Sequence, residues 1–222
     1  MRGALYRPVK RAMDIAIAAA AFVVTSPLLA AIAIVIRLED RGPAILRQSR
    51  VGLDGEDFEL FKFRTMITDA HLVGAGWLIA ERDPRITRVG RFLRRWSLDE
   101  LPQMFNVLRG DMSIIGPRPT LRYQVDQYTA HQRRRLEVRP GITGWAQVRG
   151  RNDLPWTKRI EFDVWYVEHL SLSLDLQILL RTLPVLVSPS GIYNEARGDW
   201  GEVVDPVGHA EPSPDAPAET AG

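Results

Sequence analysis

The chain has 222 residues, of which 45% are hydrophobic, enough to bury the core of one domain with appendages. It contains no cysteine, which excludes disulfides and thiolate catalysis. The net charge is only +2, but all six charged residues after residue 198 are acidic, which leaves a net charge of +8 in residues 1–198. A basic body favours phosphates, anionic lipid or nucleic acid as partners.

Residues 15–36 form an uncharged apolar run of 22 positions, long enough to span a bilayer. Ser26-Pro27 lies near its middle, where proline bends a helix and the serine hydroxyl can bond the carbonyl that proline leaves free. Both flanks are basic, so the positive-inside rule favours the cytoplasmic face for both. We therefore predict that residues 1–38 form a re-entrant membrane helix that bends at Ser26-Pro27. A kinked full span and a buried soluble helix are the alternatives.

Asp14 lies at the entrance of this apolar run, where a carboxylate is costly and is usually paired. Lys10 and Arg11 precede it by four and three residues, on the same face of a helix. The spacing predicts a structural ion pair rather than a catalytic role.

Residues 39–196 are expected to form a cytosolic domain docked on the membrane, so that the whole chain is of the α+β class and mostly helical. Residues 44–51 and 58–66 are predicted to form a small antiparallel hairpin around the Asp54-Gly55 turn. Helices are predicted over residues 88–95, 98–109, 121–138, 156–170 and 174–187. The last two suit helices at the membrane surface, with plain core helices as the alternative. The acidic tail, residues 197–222, is expected to be disordered.

Two adjacent carboxylates, Asp99 and Glu100, follow a basic cluster that includes Arg94. A carboxylate can attack a phosphate only if cations and a metal neutralise the charge that develops. The pattern Ser97-x-x-Glu100 matches a capping box, which predicts the start of a helix here. The dipole and free N–H groups of that helix would keep Asp99 ionised and favour a bound anion. A capped helix with surface charges is the alternative interpretation.

Further cations lie in two other short motifs. Lys62 and Arg64 are two residues apart and are predicted to lie on one face of a strand. Arg118 stands between two prolines, in a rigid turn that suits bidentate phosphate contact. A solvated strand face and a rigid loop are the corresponding alternatives.

Taken together, these motifs closely resemble the bacterial sugar transferase family, the monotopic phosphoglycosyl transferases. The resemblance covers roughly residues 8–196. The matching stretches are Lys10-Arg11-x-x-Asp14, Ser26-Pro27, Gly42-Pro43, Gln48-x-Arg50-x-Gly52, Lys62-Phe63-Arg64-Thr65-Met66, residues 97–103, residues 106–113, Gly116-Pro117-Arg118-Pro119 and residues 138–148.

The resemblance implies transfer of a sugar 1-phosphate from a nucleoside-diphosphate sugar, usually a UDP-sugar, to membrane polyprenyl phosphate, which starts surface glycan assembly. It implies that Asp99 is a nucleophile that forms a covalent phosphosugar intermediate and that Glu100 helps to hold Mg²⁺. It also implies that Lys62, Arg94 and Arg118 contact phosphate or nucleotide. Membrane lipid is then a partner, and the catalytic domain faces the cytoplasm from the inner membrane.

Three other functions are alternatives to this one. Direct, non-covalent transfer between the same substrates is the mechanistic rival. A non-catalytic membrane scaffold with a basic surface is the second alternative. The third is a basic nucleic-acid binder, but no nucleic-acid module is evident, so nucleic acid is not expected as a partner. Homo-oligomerisation stays open.

Overall fold

The computed structural model describes residues 2–68, 70, 83–150 and 154–187. The helices are α1 (Arg2–Glu39), α2 (Arg88–Arg95), α3 (Gln103–Arg109), α4 (Arg122–Asp126), α5 (Ala130–Arg133), α6 (Trp145–Arg149), α7 (Trp156–Glu168) and α8 (Leu172–Val187). The strands are β1 (Ile45–Val51), β2 (Asp57–Phe63), β3 (Ser113–Ile115) and β4 (Gly141–Thr143). The fold is mostly helical with a small antiparallel sheet, which confirms that part of the predicted fold class.

Strands β1 and β2 form the predicted antiparallel hairpin, in register from Ile45 opposite Phe63 to Val51 opposite Asp57. The turn between them places Asp54 at φ 55° and Gly55 at φ 82°, the left-handed region that Gly and Asp tolerate best. Short strands β3 and β4 pair in parallel, and this pairing was not predicted from the sequence. The hairpin prediction succeeded because its turn signal is local.

Helix α1 packs against the rest of the chain at both of its ends. Near its start, Arg11 donates hydrogen bonds to the carbonyls of Val107 and Leu108 at the end of α3. Near its end, Ile32 and Ile36 pack in a core cluster with residues of the hairpin and α2. Its middle is exposed, with 78% of Val24 accessible. Both ends of α1 therefore contact the same folded body.

Among the described residues, α1 is the one helix long and apolar enough to cross a membrane. Pro27 lies inside it and cannot donate a hydrogen bond to the carbonyl of Val23, four residues earlier. The Ser26 hydroxyl donates to that carbonyl instead, at 2.8 Å. The predicted role of this serine is confirmed, since it satisfies the group that proline leaves free.

The predicted ion pair of Asp14 is wrong. Asp14 is buried and accepts hydrogen bonds from the Ser113 hydroxyl and the Ile114 backbone N–H, both at 3.0 Å. Lys10 pairs instead with Asp175 of α8, at 3.1 Å. Arg11 and Lys10 bind groups on α3 and α8 instead of Asp14, and helix spacing alone does not predict these tertiary contacts.

Several predicted helices have different bounds. The stretch 121–138 is divided into α4, α5 and a 3₁₀ turn at Arg134–Glu137, because Thr129 caps a new helix with a hydrogen bond from the Gln132 N–H. The stretch 98–109 is divided into a 3₁₀ turn and α3. Helices α2, α7 and α8 lie where they were predicted, within two residues. The predicted tail 197–222 lies outside the described residues, and the proposed division into domains stays a prediction.

Candidate active site

Asp99 and Glu100 lie in the 3₁₀ turn Leu98–Glu100, between α2 and α3. Ser97 precedes this turn in the left-handed conformation, with φ 52°, and its side chain makes no capping hydrogen bond. The predicted capping box is therefore wrong. The helix that follows, α3, begins only after Pro102, so the two carboxylates do not lie at its N-terminus.

The structure brings Asp99 together with Glu100 and all three cations predicted for the site. The charges that act on Asp99 belong to Glu100, Lys62, Arg94 and Arg118. Burial is the main cause that raises the pKa of Asp99 from 3.8 to about 6, and the negative charge of Glu100 raises it further. The three cations oppose this shift. The expected stabilisation by a helix dipole is thus replaced by stabilisation from side-chain cations.

Lys62 lies on β2 and is partly buried beside Asp99. The pKa of Lys62 is lowered to about 8, mainly by burial and secondly by the positive charge of Arg50. The negative charge of Asp99 acts in the opposite direction. Arg64 was predicted to share its strand face, but β2 ends at Phe63. Arg64 turns away and forms a salt bridge with Asp40 at 3.0 Å, so it holds the end of α1 rather than the site.

Arg94 lies in the last turn of α2, where its Nε donates a hydrogen bond to the Thr65 hydroxyl at 2.8 Å. Thr65 is buried two residues after the end of β2, so this bond ties the helix to the hairpin. Gly90 permits the close approach, because a Cβ there would lie 2.1 Å from the Thr65 carbonyl oxygen. The position of Arg94 beside Asp99 thus depends on a contact between two elements far apart in sequence.

Arg118 forms a salt bridge with Glu100 through one of its terminal nitrogens. The charge of Glu100 raises the pKa of Arg118, which stays a cation at all relevant pH values. The backbone carbonyl of Arg118 accepts a hydrogen bond from Arg135 at 2.9 Å. Arg135 is itself buried and paired with Asp163 and with the Tyr128 hydroxyl. A buried ion pair therefore fixes the backbone that carries Arg118.

Arg50 of β1 is a fourth cation at the site, and no role was predicted for it from the sequence. The pKa of Arg50 is lowered to about 10, mainly by burial and secondly by the positive charge of Arg118. Its position in the stretch Gln48-x-Arg50-x-Gly52 was the available signal, but nothing in that stretch indicates proximity to Asp99. With Arg50 included, four cations face two carboxylates, so the site is suited to a polyanion.

A divalent metal is compatible with this set of side chains. Among the described residues there is no group of three or more His, Asp or Glu side chains that could hold a metal ion by itself. Mg²⁺ is usually bound by one or two carboxylates together with water and substrate phosphates. The Asp99-Glu100 pair can offer such carboxylates, so the residues present fit a metal that arrives with a phosphate ligand.

Comparison with known proteins agrees with this chemistry. The family described as bacterial sugar transferase matches residues 5–189, and the chain belongs to that family. The uncharacterised sugar transferase EpsL of Bacillus subtilis is 44% identical over 183 residues, which cover 82% of this chain and 89% of the relative.

Two further relatives carry more specific names. The UDP-glucose:undecaprenyl-phosphate glucose-1-phosphate transferase of Caulobacter vibrioides is 44% identical over 195 residues, which cover 83% of this chain and 72% of the relative. The UDP-N-acetylgalactosamine-undecaprenyl-phosphate N-acetylgalactosaminephosphotransferase of Aeromonas hydrophila is 44% identical over 193 residues, 84% of this chain. The match spans 45% of that relative, so this chain corresponds to less than half of it.

Proposed function

We propose that this protein transfers a sugar 1-phosphate from a UDP-sugar to polyprenyl phosphate and so initiates assembly of a surface glycan. The observation that carries the proposal is the Asp99-Glu100 pair among four cations. Such a set can neutralise a diphosphate while leaving one carboxylate next to the reacting phosphorus. The names of two relatives, which include UDP-sugars and undecaprenyl phosphate, support the same substrates.

In the proposed mechanism, Asp99 is the nucleophile. A carboxylate oxygen of Asp99 forms a bond to the sugar-bearing phosphorus, and the bond from that phosphorus to the nucleoside monophosphate breaks. An oxygen of polyprenyl phosphate then attacks the same phosphorus, and the bond to Asp99 breaks. The products are nucleoside monophosphate and polyprenyl-diphosphate sugar, and the carboxylate is regenerated. Lys62, Arg94 and Arg118 stabilise the negative charge on the phosphoryl oxygens during both steps.

The covalent route can be separated from direct transfer by leaving out the acceptor. Incubating the protein with a UDP-sugar and Mg²⁺, but without polyprenyl phosphate, should release up to one equivalent of UMP and leave the sugar phosphate attached to the protein. Asp99→Asn should release none. Direct transfer predicts no release of UMP without polyprenyl phosphate, and that result would refute the covalent step.

We also propose that Glu100 helps to hold Mg²⁺ on the diphosphate. Bound Mg²⁺ would supply further neutralisation of phosphate charge. EDTA should abolish transfer and added Mg²⁺ should restore it. Glu100→Gln should raise the Mg²⁺ concentration needed for half-maximal activity, whereas Glu137→Gln, at an exposed position away from Asp99, should not. Full activity in excess EDTA would contradict the metal's role.

A re-entrant topology for α1 is part of the same proposal. Support comes from the packing of both ends of α1 on one folded body and from the exposure of its middle. Exposed leucines 172, 176, 180 and 183 also form a stripe along α8, which suits docking on a membrane surface. Such docking would bring a lipid phosphate and a water-soluble donor to one carboxylate.

Single cysteines test this topology, since the chain has none of its own. Gly3→Cys places one cysteine in the first turn of α1, and Arg41→Cys places another two residues after its end. Both should resist an impermeant thiol reagent in intact cells and react after lysis. Labelling of position 3 from outside would show a full span and contradict the re-entrant arrangement.

A further inference from the structure

Two of the four cations, Arg50 and Lys62, lie on the two strands of the hairpin, whereas Arg94 lies on α2 and Arg118 follows β3. Lys62 and Arg118 are linked electrostatically both to Asp99 and to Arg50. Arg94 acts on Asp99, whereas the main charges acting on Arg50 come from Arg118, Tyr123 and Glu100. Lys62 and Arg118 therefore neighbour both Asp99 and Arg50, whereas Asp99 is not among the main charges acting on Arg50.

The register of the two hairpin strands also relates the position of Arg50 to that of Lys62. Side chains of directly opposed residues lie on one face of a hairpin, so Gln48, Arg50 and Lys62 share a face. Lys62 is opposite Leu46, and Arg50 is four residues further along β1, about 13 Å away at about 3.3 Å per residue. Both long side chains extend from the same face of the hairpin, so they can bind neighbouring groups of one extended ligand, such as the two phosphates of a diphosphate.

The hydrogen bonds of Arg50 are incomplete. One terminal nitrogen donates to the Gln48 side-chain oxygen at 2.8 Å, which fixes the guanidinium on the strand face. Its Nε is buried and has no hydrogen-bond partner among the described residues. A buried donor without a partner is costly, and a charged donor especially so. An anionic oxygen of a ligand would satisfy this group and offset its proximity to Arg118.

We propose that Arg50 binds the phosphate of the donor that Asp99 does not attack, the one that leaves as part of the nucleoside monophosphate. The inference rests on the proposed function, because it assumes a diphosphate donor. Asp99 must lie next to the phosphorus that it attacks, and Lys62 and Arg118 interact with both Asp99 and Arg50. The second phosphate of the same donor then falls within reach of Arg50.

The test uses UMP and inorganic phosphate as probes with Arg50→Gln and Arg50→Lys. Arg50→Gln should weaken UMP binding, measured by calorimetry in Mg²⁺ buffer, at least tenfold, and Arg50→Lys should weaken it less. In steady-state transfer, KM for the UDP-sugar should rise at least tenfold in Arg50→Gln, while KM for polyprenyl phosphate stays within twofold. Inorganic phosphate should bind the unaltered protein more weakly than UMP does.

Arg47→Gln is the matched control, since it removes the same charge from the opposite face of the same strand, where the side chain is 69% exposed. It should bind UMP as the unaltered protein does. If Arg50→Gln does not fold, Gln48→Leu removes the side chain that fixes Arg50 and should weaken UMP binding at least threefold. Unchanged UMP affinity in folded Arg50→Gln, or an equal rise in KM for polyprenyl phosphate, would overturn the proposal.

Failure of the proposed function would look different. In that case the unaltered protein would transfer no sugar phosphate from any UDP-sugar, whatever residue stands at position 50. Transfer by the unaltered protein with no effect of Arg50→Gln on UMP refutes only the role of Arg50.

Discussion

Replacing Asp99 by asparagine should abolish transfer and at the same time stabilise the fold. Asparagine resembles the protonated carboxyl group in size and shape but cannot ionise. The folded protein raises the pKa of Asp99 from 3.8 to about 6, mainly by burial, so ionisation of this carboxyl opposes folding. Asp99→Asn removes that opposition together with the nucleophile.

The size of the effect follows from the shift in pKa. A difference of about two pKa units corresponds to about 3 kcal/mol at about 1.4 kcal/mol per unit. Asp99 is only partly buried and borders several charges that can rearrange, so we expect a gain of roughly 1–3 kcal/mol. Between pH 3.8 and about 6, folded Asp99 binds more protons than unfolded Asp99, so stability falls as pH rises. The advantage of Asp99→Asn should be complete above about pH 6 and vanish below pH 3.8.

Denaturation in EDTA-containing buffer at several pH values measures this difference without a contribution from metal. Asp126→Asn, at an exposed position on α4, is the matched control for the loss of one carboxylate. An Asp99→Asn variant that is inactive and less stable at pH 8 would refute the reasoning, because it would show that the ionised carboxylate stabilises the fold. An active variant would refute the assignment of the nucleophile.

Three further predictions concern other parts of the molecule. The pKa of Lys62 is lowered to about 8, so kcat/KM should fall as pH rises through that value, and Lys62→Arg should move this limb to higher pH. Asp163→Asn breaks the buried ion pair with Arg135 and should cost about 3–5 kcal/mol in denaturant unfolding, unless Arg135→Met accompanies it. Replacing Ser26-Pro27 by Ala-Leu should straighten the apolar run to about 33 Å, favour a full span in thiol labelling and abolish transfer. Unchanged labelling with full activity would show that this dipeptide does not determine the topology.

Local signals in the sequence were sufficient for the hairpin and for α2, because turn residues and caps act on their immediate neighbours. The motifs also indicated Asp99, Glu100, Lys62, Arg94 and Arg118, which the structure does bring together. Their roles stay predictions.

The wrong predictions concern features that depend on packing between elements distant in the sequence. Ser97 fits a capping box, but the chain turns through a left-handed residue there and Pro102 delays the helix. The partner of Asp14 is β3, about 100 residues away. Arg50 joins the site only because the hairpin register places it on the face of Lys62. Such contacts depend on tertiary structure and leave no local pattern in the sequence.

A UDP-sugar that carries ³²P in its sugar-proximal phosphate and ¹⁴C in its sugar tests the central claim most directly. After incubation with the protein, Mg²⁺ and polyprenyl phosphate, both labels should enter the lipid extract in equal amounts, and UMP should be released unlabelled. Asp99→Asn should transfer neither label. Transfer of ¹⁴C without ³²P would show that the sugar moves without its phosphate and would contradict the proposed reaction.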